Sequence, residues 1–459
     1  SGSIEFQPPS KYYQDKLYKN DGRGNFVLDA QALPPISASG SCVRAADFDG
    51  DNDLDLFVGG RVVPGSYPMA AESYLLKNEK GKFTNVTASN CPDLVNLGMV
   101  TDALFTDFDN DNNIDLVVVG EFMHITFFKN SAGKFSKVSD TGLEEFSGWW
   151  NSVVAGDFDN DGDIDYVAGN LGLNNGYQAN KEFPISVYAN DFDKNGSVDA
   201  ILACYIKESL KNDEKKLYPV HFWDEINSQS PRFRQQFNRY KHYGKAPLNG
   251  LLTPEEVKGA YTLQANHFET SYIENLGNGK FKLTALPQLV QVSPVNGMIT
   301  DDVNGDGNLD VIMVGNDFGN EVFFGRYDAF TGLVLLGNCK GSFEIVPSAK
   351  SGFLVNGDAK GFARLSGVKG DVYIATQNRD SVKVFEKTIE NNKATEFQPA
   401  PLDTWAELTY KDGKKSRVEF YYGAGYLSQS TRRFRVPKDA KDISVHNAHG
   451  ESRKISPGI

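Results

Sequence analysis

Histidine, cysteine and long apolar runs are what this chain has least of. The six histidines (124, 221, 242, 267, 446 and 449) form no H-E-x-x-H pair, and no G-x-S-x-G elbow occurs, which removes the metalloprotease and α/β-hydrolase classes. His124, in "GEFMHITFF", reads as a strand histidine. His446 and His449 have a spacing that allows metal chelation, although a turn explains "HNAHG" more simply. Cys42, Cys91, Cys204 and Cys339 are too widely spaced for a disulfide framework and read as buried thiols. No apolar stretch approaches the roughly 20 residues of a membrane-spanning helix. Basic residues are outnumbered, 47 against 60 acidic, for a net charge of -13, so there is no cationic footprint for nucleic acid. The chain opens on "SGSIEF" without methionine, and a leader removed ahead of it is the expectation.

What the chain has in quantity is aspartate at alternate positions. "DFDGDNDLDLFVGG" begins at Asp47, "DFDNDNNIDLVVVG" at Asp107, "DFDNDGDIDYVAG" at Asp157, "DFDKNGSVDAILA" at Asp191 and "DVNGDGNLDVIMVG" at Asp302. Acids at every second position of a strand would repel one another, and Asp is a poor strand former. Counted from the first Asp, positions 1, 3, 5 and 9 are always Asp or Asn, and position 8 is always aliphatic (Leu54, Ile114, Ile164, Val198, Leu309). Position 6 is Asn52, Asn112, Gly162, Gly196 or Gly307, residues that tolerate a left-handed backbone. The pattern describes a loop wrapped around a hard cation.

Calcium suits such a loop, because it takes six to eight oxygens in flexible geometry, whereas magnesium keeps its waters. A helix-loop-helix site is excluded: Val58, Val118, Ala168, Leu202 and Met313 stand where a bidentate Glu is needed, and the flanks are short β-branched runs. Five calcium sites are therefore expected. In the first, Asp47, Asp49, Asp51 and Asp55 bind by side chain and Asp53 by its carbonyl. In the second these are Asp107, Asp109, Asp111 and Asp115, with Asn113. In the third they are Asp157, Asp159, Asp161 and Asp165, with Asp163. In the fourth they are Asp191, Asp193, Asn195 and Asp199, with Ser197. In the fifth they are Asp302, Asn304, Asp306 and Asp310, with Asn308. Five divalent ions would bring the net charge from -13 to about -3, so the acidity belongs to the sites.

A second repeat accompanies the first. "LYKNDGRGNF", "LLKNEKGKF", "FFKNSAGKF", "YIENLGNGKF" and "LLGNCKGSF" each read as apolar strand, Asn, Gly-containing turn and Phe, a hairpin signal. One metal-loop hairpin and one Gly-turn hairpin make a four-stranded unit. A recurrence every 50 to 60 residues, from 47 to 107 to 157, suits a propeller blade.

These two motifs resemble FG-GAP/VCBS repeats, the blades of integrin-α-like β-propellers, over roughly Leu17 to Phe385. The resemblance implies structural calcium and names no activity. The expected fold is all-β: a propeller of seven blades, or six because Asp157 and Asp191 stand close together, spanning residues 1–390. The last unit, 357 to 385, lacks the carboxylate series and is expected to hold no metal; the N-terminal hairpin is expected to complete a blade with it. A helical insertion, 207–266, interrupts one blade. In it "SPRFRQQFNRY" offers Ser230 as a cap and "TPEEVKGAYTL" offers a Thr253–Glu256 capping box. Residues 397–459, after a linker-like "NNKATEFQPAPLD", are similar to an ASPIC/UnbV domain through "GAGYLSQS" (423 to 430), without that domain's Trp-Pro-x-Gly element. The whole order resembles VCBS-repeat proteins of Bacteroidetes, many of which are exported or anchored at the outer surface as lipoproteins, with the anchor ahead of the segment in hand. Calcium loops of this kind also call for a calcium-rich, exported compartment.

Three functions compete: a non-enzymatic, calcium-stabilised surface protein that binds a protein or glycan, as in an outer-membrane assembly; a polysaccharide-degrading glycosidase or lyase with acids at the channel mouth; and a purely structural surface protein. No catalytic motif is found. Glu121, Asp317 and Glu321 follow second strands and are the acids to watch, with turn hydrogen bonding as their simpler role. The insertion is the expected partner surface. It carries Phe222, Trp223, Phe233, Phe237, Tyr240 and Tyr243 beside Arg232, Arg234, Arg239 and Lys241, residue types enriched at interfaces. Inward packing of the rings is the competing reading.

Overall fold

Each aspartate loop joins two antiparallel strands. The pairs are Gly40–Ala46 with Asp55–Gly60, Met99–Thr106 with Asp115–Met123, Ser152–Gly156 with Asp165–Gly169, Ile185–Asn190 with Asp199–Lys207, and Val295–Asp301 with Asp310–Gly315. The registers agree: position 9 always faces the last residue of the preceding strand, as in Ala46↔Asp55 and Thr106↔Asp115. This computed structural model describes residues 4–209, 211, 213–321, 324–367, 370–387 and 396–455, and they form an all-β architecture of several sheets with short helices.

Five sheets follow one another face to face. The first four each join an aspartate-loop hairpin to a Gly-turn hairpin, the latter being Tyr74–Glu79 with Lys82–Asn85, Thr126–Ser131 with Lys134–Lys137, Ser271–Asn275 with Phe281–Ala285, and Leu333–Gly337 with Phe343–Val346. The fifth has three strands, Ala359–Gly367, Gly370–Gln377 and Lys383–Glu386. Apolar layers lie between successive sheets. Phe57 and Leu75 meet Val100 and Leu116; Val117 and Phe127 meet Tyr166 and Phe281; Val154 and Tyr272 meet Met298 and Leu335; Ile299 and Ile312 meet Phe362 and Tyr373. Second strands are therefore covered on both faces, which is why "DLVVVG" runs apolar without alternation. Phe127 and Phe281 stack at 3.9 Å between ring centroids, each fully buried ring contributing about 1.5–3 kcal/mol. Glycine ends the first and fourth of these strands because there is no room: a Cβ on Gly60 would lie 2.3 Å from the Ala71 carbonyl, and one on Gly315 2.0 Å from that of Pro294.

The fourth aspartate loop is not in this series. Its hairpin belongs to a separate sheet ordered Lys215–Pro219, Asp199–Lys207, Ile185–Asn190, Tyr261–Ala265, which is inserted between the second and third strands of the third sheet. The insertion is thus a sheet with helices rather than a helical segment 207–266 within one blade. It also explains the short interval from Asp157 to Asp191: the "YIEN" hairpin that completes the Asp157 unit comes about 100 residues later, at Ser271–Asn275. Five short helices (Trp223–Gln229, Arg232–Gln236, Tyr240–Tyr243, Leu248–Leu251, Pro254–Gly259) cover the inserted sheet, where two were expected. Their core joins Ile226, Phe233, Phe237, Tyr243, Leu248 and Leu251 to Phe192 and Ile201. The Thr253–Glu256 capping box is present, whereas buried Ser230 ends the helix before it rather than starting the next by side-chain capping.

At the N-terminus, Leu17–Asn20 pairs with Phe26–Asp29 alone. Among the described residues this hairpin does not join the three-stranded fifth sheet, so the expected blade completion is not seen. At the C-terminus, Asp403–Tyr410, Lys415–Glu419, Ala440–Asn447 and Ser452–Ile455 form a sheet over its own core of Leu408, Phe420, Ile443 and Val445. Of the expected linker, residues 391–395 lie outside those described, and Glu396–Phe397 pairs with Phe434–Arg435. The "GAGYLSQS" segment leaves this sheet and runs from the first sheet to the fifth. The Ala45 amide donates to Tyr422 O (3.2 Å), the Thr431 amide to Arg364 O (2.7 Å), and the Arg364 amide to Ser430 Oγ (3.0 Å).

Candidate metal centres

Each loop is built around its first Asp, which gathers backbone N–H groups. Asp47 Oδ1 accepts from Gly50 (2.9 Å) and Asp51 (3.1 Å), and its Oδ2 from Asn52 (3.0 Å). Asp107 accepts from Asp111 and Asn112, Asp191 from Asn195 and Gly196, and Asp302 from Gly305, Asp306 and Gly307. The turn closes through the left-handed residue at position 6, Asn52 at φ 74° in the first loop and Gly196 at 87° in the fourth.

Position 9 ties the loop to the sheet. In the first, third and fifth loops both oxygens accept amides, one from position 2 of the loop and one from the Gly-turn hairpin: Asp55 from Phe48 (3.2 Å) and Asn78 (2.7 Å), Asp165 from Phe158 (3.3 Å) and Asn275 (2.8 Å), and Asp310 from Val303 (2.8 Å) and Gly337 (2.9 Å). Tyr272 adds its hydroxyl to Asp165 at 2.7 Å. These carboxylates are buried, at most 1% exposed. Burial pushes Asp55 up to about 7, Asp115 to about 9, Asp165 to about 8 and Asp310 to about 7, with neighbouring loop carboxylates adding to the rise in each case. A cation in the loop would favour the ionised form of these groups at neutral pH.

Four loops bring three carboxylates within 4.8 Å of one another: Asp47, Asp49 and Asp55; Asp107, Asp109 and Asp115; Asp157, Asp159 and Asp161; Asp191, Asp193 and Asp199. In the fifth loop, Asn304 turns its amide toward Asp306 (2.9 Å), and no such triple forms there. Asp51 and Asp111 belong to the loops but lie outside the tight triples. Asp53, Asn113, Asp163, Ser197 and Asn308 follow them, and their side chains have other partners, as when the Lys80 amide bonds Asp53 (2.7 Å). Four buried oxygens, Asp49 Oδ1, Asp109 Oδ1, Asp115 Oδ2 and Asp157 Oδ1, have no hydrogen-bond partner. Three loops thus contain oxygen donors turned toward one another and left unpartnered, which fits a hard cation.

Two sets of residues were not foreseen. Lys77 bonds Asp49 and reaches Asp51 at 3.2 Å; Lys129 bonds Asp109 and reaches Asp111 at 2.9 Å. From the C-terminal sheet, Arg417 spans the second and third loops. Its guanidinium bonds Asp107 (2.7 Å) and Asn110, its amide donates to Asp157 Oδ2 (2.9 Å), and Trp405 lies 4.1 Å beneath it. Glu419 accepts from the Asp107 amide (3.0 Å) and Thr106 (2.8 Å). His446 stacks on Trp405 at 3.8 Å, while His449 Nε2 meets Asn52 Oδ1 at 2.7 Å. The pair therefore serves packing and docking. The lysines had a sequence signal, the residue before Asn in "LLKN" and "FFKN". Arg417 had none.

At the other end of the second strands, Glu121 is held by Arg61 and by the Tyr67 hydroxyl (2.6 Å). Asp317 bridges by backbone to Tyr327 and lies 3.5 Å from Lys360. The Glu321 carbonyl accepts from the Phe324 amide (3.1 Å). On the insertion, Phe233, Phe237 and Tyr243 are buried, whereas Tyr240 is 58% exposed and Phe222 37%. Arg232 pairs with Glu256, while Arg234, Arg239 and Lys241 are exposed. All four cysteines are free thiols, three of them buried and Cys339 half-buried. No helix among the described residues is long and apolar enough to cross a membrane.

A family model described as FG-GAP-like repeat matches residues 10–58 and 107–168. Among solved structures, the chain is similar to the V. cholerae biofilm matrix protein Bap1 at 11% identity and a TM-score of 0.27, over 91% of this chain and 59% of that one. It is also similar to the exotype rhamnogalacturonan lyase YesX (11% identity, TM-score 0.33, 91% and 72% covered) and to the Bacillus licheniformis rhamnogalacturonan lyase PL11 (10%, 0.31, 91% and 71%). The chain spans about three fifths of the length of Bap1. No curated protein sequence matches it.

Proposed function

We propose that this chain is an exported, non-enzymatic binding protein whose FG-GAP-type sheets form a calcium-stabilised propeller, with a protein or glycan at the cell surface as its partner. One observation carries the calcium part: buried carboxylate oxygens in recurring loops that converge on one another without hydrogen-bond partners. In this reading the five serial sheets wind about an axis, and the 423–431 segment fills the gap between the first and last of them. The oxygen-rich loops act in folding, since a hard cation enclosed by protein oxygens has little room for an activated water. Glu121, held in an ion pair and a tyrosine hydrogen bond, is suited to positioning rather than to proton transfer. Binding then falls to exposed surface such as Tyr240, Arg239 and Lys241 on the insertion. An outer-membrane assembly is one setting for it.

The test has two arms. Elemental analysis and melting with and without EGTA examine calcium; no bound metal and an unchanged melting temperature would sink that part. Incubation with acidic and neutral polysaccharides examines the alternative, a glycosidase or lyase. Turnover that disappears in Glu121→Gln would replace the binding reading with the enzymatic one.

A further inference from the structure

The Gly-turn hairpins place one residue over each of the first three loops. Lys77, Lys129 and Glu274 are equivalent by geometry. Each immediately precedes the Asn (78, 130, 275) whose amide bonds the position-9 carboxylate at 2.7, 2.7 and 2.8 Å. Each also sits in the same place in its hairpin, paired with the residue following the turn's Phe: Thr84, Ser136 and Lys282. In the first two loops an ammonium therefore lies on the carboxylates of positions 3 and 5. In the third, a carboxylate occupies the same position and takes its own partner, Lys282, at 2.8 Å. Among the described residues no lysine or arginine pairs with Asp159 or Asp161, and Asp157, 1% exposed, leaves Oδ1 unpartnered beside them.

We propose that Lys77 and Lys129 are resident cations that lower the calcium affinity of the first two loops, and that Glu274 makes the third loop the tightest of these three sites. The proposal rests on the calcium reading above and adds an order of filling to it. A divalent ion entering the first or second loop must share two carboxylates with an ammonium or displace it, losing charge-assisted hydrogen bonds. An ion entering the third loop meets no such competitor, and Glu274 adds to the negative field that attracts it.

The experiment is calorimetric titration of calcium into the metal-stripped full chain, with Glu274→Lys and the double variant Lys77→Met/Lys129→Met, folding being checked by circular dichroism. The expected result is that Glu274→Lys weakens one of the tighter sites by about tenfold, the scale of one charge-assisted hydrogen bond, and that the lysine variant strengthens two weaker sites by a similar factor. Unchanged isotherms in both variants would overturn the proposal while leaving calcium binding intact; an absence of calcium binding in the wild-type chain would sink the calcium reading itself. Should a variant fail to fold, terbium soaked into wild-type crystals at rising concentration decides the matter. Anomalous density at the third loop before the first and second supports the order, and simultaneous or reversed filling overturns it.

Discussion

The second and fourth loops share Asp-Phe-Asp at positions 1 to 3 and Asp at position 9 but lie in different settings. Asp107 and Asp115 begin and end a loop pressed between serial sheets and covered by Arg417 and Glu419. Asp191 and Asp193 lie half-buried on the inserted sheet, with only Asp199 at 1% exposure. What the two share is the position-1 Asp gathering loop amides and a buried position-9 Asp. What differs is everything outside the loop. The motif therefore encodes a turn that can take a cation, and its surroundings decide how much stability depends on it.

The comparison is tested most strongly by pH and calcium together. Asp115, Asp165, Asp55 and Asp310 hold protons up to about 9, 8, 7 and 7 because burial disfavours their charge. The unfolded chain releases those protons near pH 4. The folded state thus binds more protons at these four groups between pH 4 and about 7 to 9, and their contribution to metal-free stability is fully present below about pH 4 and falls as pH rises through that window. Calcium binds the ionised form and offsets the loss, by about 2.7 kcal/mol per site at a hundredfold excess over Kd. Melting curves with calcium and with EGTA should coincide near pH 4 and separate progressively toward pH 8. Parallel curves across the range would break the argument.

Arg417→Ala is the next largest effect. Arg417 and its partners Asp107 and Glu419 are each about 5% exposed, so truncation strands two buried carboxylates. A loss of about 3–5 kcal/mol in urea denaturation is expected. The exposed Arg234→Ala should stay within about 0.5 kcal/mol.

The repeat itself was legible in the sequence because its determinants are local: alternating Asp, a left-handed residue at position 6, an aliphatic residue at position 8, and Asn before a Gly turn. The all-β fold class and the carboxylate-gathering loops follow from those. Which hairpins share a sheet was not legible, because a hairpin gives no sign of which sheet it completes. The Asp157 unit is finished by Ser271–Asn275 only after an entire sheet has intervened, and spacing alone assigned that sheet to the series. Arg417 was illegible for the same reason: "KSRVEF" is an ordinary strand whose partners lie more than 250 residues away. The aromatics of the insertion could be counted but not sorted, since only the fold shows that Phe233, Phe237 and Tyr243 face inward while Tyr240 does not.

The smallest effect separates the two roles that carboxylates play in these loops. Asp165→Ala would leave the Phe158 and Asn275 amides and the Tyr272 hydroxyl without their acceptor in a buried site, a cost of about 3 kcal/mol with calcium stripped, to which the loss of a third-loop ligand is added when calcium is present. Asp193→Ala removes a half-exposed carboxylate whose hydrogen-bond partner is the Asn195 amide, 3.2 Å away in its own loop. With calcium stripped, the loss should be below about 0.5 kcal/mol, as for other surface sites. With calcium present, the loss should grow only by what the fourth site contributes, because Asp193 then acts as a ligand and nothing else. Chemical denaturation of both variants in calcium and in EGTA gives the four numbers. A large Asp193→Ala effect in EGTA would mean that the fourth loop is held by its carboxylates even without a cation, and the contrast between covered and exposed loops would fail.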